Sequence, residues 1–440
     1  MFLKAGVAVT LVLVAGIPSG SMGRNEVVVQ RPIERAAERI AETERLHHAW
    51  LNLDLARARE QDALVAKAPV GSPLHQLDGM VVAVKDNLDT DWLPTTAGSR
   101  ALRNRRPSRN ATVVDRVLEA GGVIPGKTNM DTFARGVRTL SELGGQTRNA
   151  VDPTKSPGGS SGGTAVAVAL GNTDVGIGTD TCGSLRYPAA YNGIYGLRPT
   201  PGLVSRSGLI PLSATHDVVG PMARTPRDLA RLLDVIAGPD NRDPLTTAAP
   251  RPSRSYADIL PAVRLLRIGV LRDRGAYITN SEGLSALTLL RAAGLELVDV
   301  KLPPLSLPNV INEEFRVLKP KLLSKMLVES DWIVGVEIDS RAYQQKQAQM
   351  RSDSQRVIAF MDASGLDAVV YPTTPYKASD LGEAQSSANC SLSSSTGTPA
   401  LALPHPSAPT PGIDVLARPF SEALLIEIAT RYAVVKLREQ

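Results

Sequence analysis

Short apolar runs closed by glycine, with helical stretches between them, set the rhythm of this chain. Val81–Val84 is uninterruptedly apolar and ends at Lys85, which predicts a buried strand. Ile268–Leu271 and Asp367–Tyr371 predict two further strands, and Leu295–Val300 another, preceded by a helix over Leu284–Ala293 and a stop at Gly294. Thr112–Ala120 reads as a helix closed by Gly121-Gly122 and followed by a strand at Val123-Ile124. Arg31–Glu60 reads as mainly helical, with Ile33, Ala37, Ile40, Leu51 and Leu55 as buried positions, and Ser421–Leu437 as a closing helix. Alternation of this kind predicts a mixed sheet covered by helices. A length of 440 residues suggests two or three domains, but large single α/β domains are a recognised exception. Internal repeats are missing, and Pro239–Ala257 reads as a surface connection rather than a boundary.

The N-terminus carries a different pattern. Lys4 precedes the apolar stretch Ala5–Ile17, and Pro18-Ser19-Gly20-Ser21 supplies small residues for cleavage. This is the outline of a secretory leader over residues 1–21, cut near 21–23, with the folded domain expected over 24–440 in the periplasm or outside the cell. The stretch is too short for a transmembrane helix, and no stable membrane span is expected elsewhere. A net charge of +5 is spread along the chain, and the run Arg100–Arg106 has no interleaved aromatics, so a nucleic-acid partner is not expected.

Three residues could carry chemistry. Lys85 would emerge from a low-dielectric wall that favours its neutral, basic form. Ser160 lies in Pro-Gly-Gly-Ser-Ser-Gly-Gly, where glycines allow close backbone approach. Ser184 follows Thr181, Cys182 and Gly183, a small-residue stretch whose amides could converge on one anion. Together they suggest acyl transfer, in which a serine needs an adjacent base. Gly158-x-Ser160-x-Gly162 also fits a nucleophile elbow, but the preceding Asp152–Pro157 contains two prolines where the elbow requires a strand. None of the five histidines has a motif partner, so a Ser-His-Asp triad lacks support.

The segment Pro157–Ala190 closely resembles the signature region of the amidase signature hydrolases, and the likeness extends over most of the chain. KDN at Lys85, PTTAGS at Pro94–Ser99, GKTNMD at Gly126–Asp131, GGQTRN at Gly144–Asn149, YGLRPT at Tyr195–Thr200, DVVGPMART at Asp217–Thr225, STGTPALALP at Ser395–Pro404 and ARPFSEALL at Ala417–Leu425 occur in the family's order. The resemblance implies an α/β fold: a single large domain with a central mixed, mostly parallel β-sheet covered by helices. It implies Ser184 as nucleophile, Ser160 after a cis peptide bond as proton relay, Lys85 as neutral base, and the amides of Thr181, Cys182, Gly183 and Ser184 as oxyanion hole. It implies no metal and no organic cofactor. Asp180 and Arg186 would brace the oxyanion loop, Ser161 would bond backbone, and Lys127 is the competing lysine. Asp86 beside Lys85 is the one unwelcome carboxylate, although adjacent strand residues face opposite ways.

The chain departs from the family pattern at Cys182, where glycine is usual. With φ positive the cysteine would be strained; with φ negative, the favoured reading, it adds only a small wall to the acyl pocket, and Cys182→Gly is expected to be tolerated or to improve activity; whether Cys182 and Cys390 pair cannot be read from sequence. The signature core covers about 75–225, and a substrate-facing part, about 261–382, looks shortened beside typical members. The expected activity is that of an exported serine amidohydrolase splitting a small or peptide-like carboxamide through an acyl-enzyme. Alternatives are the A-type subunit of a tRNA-dependent amidotransferase and a non-catalytic binding protein on the same scaffold. Neither the substrate nor the oligomeric state is set by the sequence.

Overall fold

Strand Val82–Lys85 sits where its composition requires, inside the sheet and buried along its whole length. The structure, a computed structural model, describes residues 30–250, 254–262, 264–325, 338–386 and 388–439, so the expected leader lies outside the described residues. The strands are β1 Trp50–Leu53, β2 Val82–Lys85, β3 Gly126–Thr128, β4 Leu140–Ser141, β5 Gly145–Gln146, β6 Val175–Asp180, β7 Tyr195–Arg198, β8 Val218–Ala223, β9 Leu266–Leu271, β10 Leu295–Val300, β11 Ala368–Pro372, β12 Ala400–Leu403 and β13 Ile413–Leu416. β4 and β5 form a separate ribbon. The other 11 make one sheet in the order β1-β3-β2-β6-β8-β7-β12-β13-β11-β9-β10, so residues from Arg31 onward share a single body.

This is the mixed sheet that the alternation predicts. Its parallel pairs lie in two flanking blocks, β3-β2-β6 and β11-β9-β10. The mostly parallel description holds for those blocks alone: the five junctions from β6 to β11 and the edge pair β1–β3 are antiparallel. Burial follows position. The inner strands β2, β6, β8 and β11 are buried throughout, whereas edge strand β10 keeps Glu296 and Asp299 exposed, which discourages edge-to-edge pairing. Among the described residues, no helix is long and apolar enough to cross a membrane.

Three boundaries move. Arg31–Glu60 is not mainly helix: helices Pro32–His47 and Leu55–Ala66 flank β1, because His48 takes a left-handed conformation (φ 51°) and the next residues pair with β3. Ile33, Ala37 and Ile40 are buried, whereas Leu51 and Leu55 are only partly so. The strand expected at Val123-Ile124 forms at Gly126–Thr128, Val123 making only an isolated bridge to Val81. The helix expected from Leu284 starts at Ser281, since the Asn280 side chain accepts a hydrogen bond from the Gly283 amide and caps it.

Candidate functional site

The parallel block β3-β2-β6 places two polar strand ends beside each other, Lys85 on β2 and Thr179 on β6. Lys85 is fully buried, and its Nζ lies 2.8 Å from Ser160 Oγ and 2.7 Å from Thr179 Oγ1. Asn87 Nδ2 donates to the same Thr179 oxygen at 3.1 Å. Burial pulls the lysine pKa down to about 7, against the opposing charges of Asp131, Asp217 and Asp180. A large neutral fraction is therefore present at physiological pH. Asp86 is turned away: its carboxylate accepts from the Thr96 and Gly98 amides and lies 3.4 Å from Lys127 Nζ.

The Gly159–Ser160 peptide bond is cis, as the resemblance implies. Its loop is held from beneath by Asp131, which accepts from the amides of Arg138, Thr139 and Leu140. Thr139 Oγ1 in turn donates to Gly158 O at 2.8 Å and accepts from Gly162 N at 2.9 Å. A Cβ on Gly159 would stand 2.2 Å from Asp131 Oδ2, so only glycine permits this approach. Ser161 bonds backbone as expected, donating to Thr179 O at 3.1 Å, and its amide donates to Ser184 O at 3.1 Å. That amide bond joins the two serine loops. Among the described hydrogen bonds none links the Ser184 and Ser160 hydroxyls.

Around Ser184 the expected ion pair is present within a larger, fully buried network. Arg186 Nε lies 3.1 Å from Asp180 Oδ2, Arg198 Nη1 lies 3.1 Å from Asp180 Oδ1, and Arg186 also pairs with Asp414. Burial alone would raise the Asp180 carboxyl, but the two guanidiniums hold it down at about 2. The ionised carboxylate then accepts from Gly183 N at 2.8 Å and Leu185 N at 3.2 Å. Of the four amides expected to form the oxyanion hole, that of Gly183 is thus engaged by Asp180. Gly183 itself has φ 86°, and a Cβ there would meet the Tyr187 ring at 2.5 Å.

Cys182 is not among the residues with positive φ, in line with the small-wall reading, but it is also covalently bound: a disulfide joins it to Cys390, with Cα atoms 4.9 Å apart. Sequence reasoning missed this pairing, and it missed Thr179 and Asn87. Thr179 could have been found from its place two residues before Thr181 on the strand that the signature motif ends. Also missed was Asp217, which accepts from Thr181 Oγ1 and from the Leu212 and Ser213 amides. Next to it, Ser213, Thr215 and Tyr343 all donate to buried Glu314, docking helices Ile311–Lys325 and Arg341–Ala363 beside the oxyanion loop.

Comparison with known proteins agrees with this geometry. The family model described as Amidase matches residues 29–312. The A-type subunit of glutamyl-tRNA(Gln) amidotransferase from Chloroflexus aurantiacus is 44% identical over 295 residues, which cover 64% of this chain and 59% of the relative. The chain thus matches about three-fifths of the length of such curated relatives. Peptide amidase from Stenotrophomonas maltophilia superposes with a TM-score of 0.81 at 32% identity, covering 93% of this chain and 94% of that one. The corresponding A-type amidotransferase protein of Thermotoga maritima gives 0.73 at 28% identity, over 90% and 89%. With the sequence signature, the matched fold and the lysine–serine geometry in agreement, this chain belongs to the amidase signature family.

Proposed function

We propose that this chain is an exported serine amidohydrolase that splits a carboxamide C–N bond through an acyl-enzyme. The observation that carries the reading is Lys85, fully buried, lowered to about 7 and 2.8 Å from the cis-linked Ser160. In the reaction, Ser184 Oγ attacks the carbonyl while Ser160 passes its proton to neutral Lys85. The oxygen of the tetrahedral intermediate collects charge against the amides of Thr181, Cys182 and Ser184. Lysine then returns the proton through Ser160 to the leaving nitrogen, and the amine or ammonia departs. Water repeats the sequence on the ester and releases the acid. The same machinery accepts esters, whose leaving groups need less help.

A substrate of peptide-amide type is supported by the near-complete superposition on peptide amidase. Export is supported by the leader pattern and by the Cys182–Cys390 bridge, since such bonds persist mainly in oxidising compartments. The test is to label purified protein with a fluorophosphonate, locate the adduct by peptide mass spectrometry, and assay C-terminally amidated peptides. Labelling of Ser184 that vanishes in Lys85→Met, with ammonia release from the amides, is the expected result; labelling at Ser160 or nowhere overturns it.

A second reading, as the A-type component of a tRNA-dependent amidotransferase, is favoured by the 44% identity to such proteins. Glutamine-dependent amidation of a misacylated tRNA in a complex with partner proteins would establish it. Recovery of the leader-cleaved protein outside the cytosol would remove it.

A further inference from the structure

We propose that Cys390 is a positioning residue for the oxyanion hole, acting through its bond to Cys182, so that turnover depends on the oxidised state of this pair; the proposal rests on the amidohydrolase reading above. The loop that carries Ser184 is fastened at three points. Thr181 Oγ1 is held by Asp217, and the amides of Gly183 and Leu185 are held by Asp180. Between them lies Cys182, whose amide belongs to the proposed hole, and among the described residues its side chain is anchored by the disulfide and by Ser394 Oγ, 3.4 Å from its sulfur. The Ser394 contact is a weak one, because a divalent sulfur is a poor acceptor.

The far end of the bridge is firmly seated. Cys390 N donates to Tyr187 Oη at 3.2 Å, and the Tyr187 hydroxyl donates to Ala388 O at 2.8 Å. Asn389 (φ 76°) donates from Nδ2 to Arg274 O at 2.8 Å and to Pro372 O at 3.0 Å. The Tyr187 ring also lies directly beneath Gly183. The oxyanion loop is thus registered against the segment 388–394, which is 208 residues away in sequence at the bridge and heads helix Ser391–Thr396. Where relatives of the signature pattern carry glycine at 182, this chain replaces backbone freedom with a covalent tie. The expectation that Cys182→Gly is harmless therefore gives way to one of impaired turnover.

Reduction by a small dithiol breaks the S–S bond with two electrons and two protons from the reductant, yielding two cysteine thiols and the oxidised, cyclic reductant. Misplacing one oxyanion donor is expected to cost about 10- to 100-fold in kcat, somewhat less than removing it, with KM changed less than about threefold. The experiment measures kcat and KM of full-length mature enzyme on a peptide amide, oxidised, after dithiothreitol, and after reoxidation, alongside Cys390→Ser and the double variant Cys182→Ala/Cys390→Ala. Near-UV circular dichroism and thermal unfolding are recorded on each sample. The expected result is a kcat loss that reoxidation reverses in wild type, with both variants low and insensitive to dithiothreitol while still folded at the assay temperature. Unchanged kcat in folded, reduced wild type overturns the proposal, as does a loss of activity that only tracks unfolding. Oxidised wild type with neither turnover nor Ser184 labelling overturns the amidohydrolase reading and the proposal together.

Discussion

Lys85 and Lys127 lie side by side on β2 and β3, where Val84 is in register with Lys127 and Lys85 with Thr128. Both are fully buried, Lys85 at the end of β2 and Lys127 in the middle of β3, and burial lowers both pKa values. What differs is the company each keeps. Lys127 has a carboxylate, Asp86, 3.4 Å away and a hydroxyl, Thr95 Oγ1, at 2.9 Å. Among the described residues Lys85 Nζ hydrogen-bonds to two hydroxyls, with Asp131, Asp217 and Asp180 acting through space. A buried amine beside a carboxylate is part of the scaffold; a buried amine among hydroxyls is available to take a proton. Asp86 lies in the turn just past β2, with its carboxylate beside Lys127.

The comparison can be broken most severely through activity. Lys85→Met should lower kcat/KM by about 10⁴-fold, the upper end for general acid–base catalysis, because this amine serves both proton transfers. Lys127→Met should leave kcat per folded molecule within a few-fold of wild type. Its effect should fall on stability instead: leaving buried Asp86 without its cation should cost about 4 kcal/mol, read from denaturant unfolding. By the same measurement Lys85→Met should gain on the order of 3 kcal/mol at pH 7, since holding Lys85 at about 7 instead of 10.5 is itself costly. If both methionine variants destabilise alike, the two lysines are not distinguished by their partners.

pH sharpens the contrast. kcat/KM should fall about tenfold per unit below pH 7 and level off above it, as Lys85 loses its proton. Stability carries the same signature. Because the folded pKa lies below the unfolded one, the unfolded chain binds more protons between about 7 and 10.5, so the Lys85 contribution to stability rises with pH across that window and vanishes in Lys85→Met. The smallest effect is expected from Thr179→Val. Losing an acceptor of the Lys85 ammonium should move the kinetic midpoint to lower pH by less than about one unit, with a few-fold loss of kcat.

Most of the candidate site was legible because it is local. The run before Lys85, the glycines around Ser160 and the small residues before Ser184 each announce a backbone geometry within a few positions. β9, β10, β11 and the closing helix Glu422–Glu439 were likewise written in their own periodicity. What escaped was relational. β1 exists through pairing with β3, and the antiparallel block from β6 to β11 depends on which distant strands meet. Asp180 takes the Gly183 amide only because the loop curls back on its own strand, and Cys182 finds Cys390 only after both halves are folded.

That last bond has a consequence for the integrity of the polypeptide. Every peptide link between residues 182 and 390 lies inside a covalent ring, and exposed Leu260 and Leu265, 75% and 65% accessible, sit within it. A protease that clips the surface there would produce a nicked chain still held as one molecule, by the bridge and by the β7–β12 pairing at which the strands from the two sides of the cut meet. Such material would run as a single band on a non-reducing gel and as two fragments after reduction.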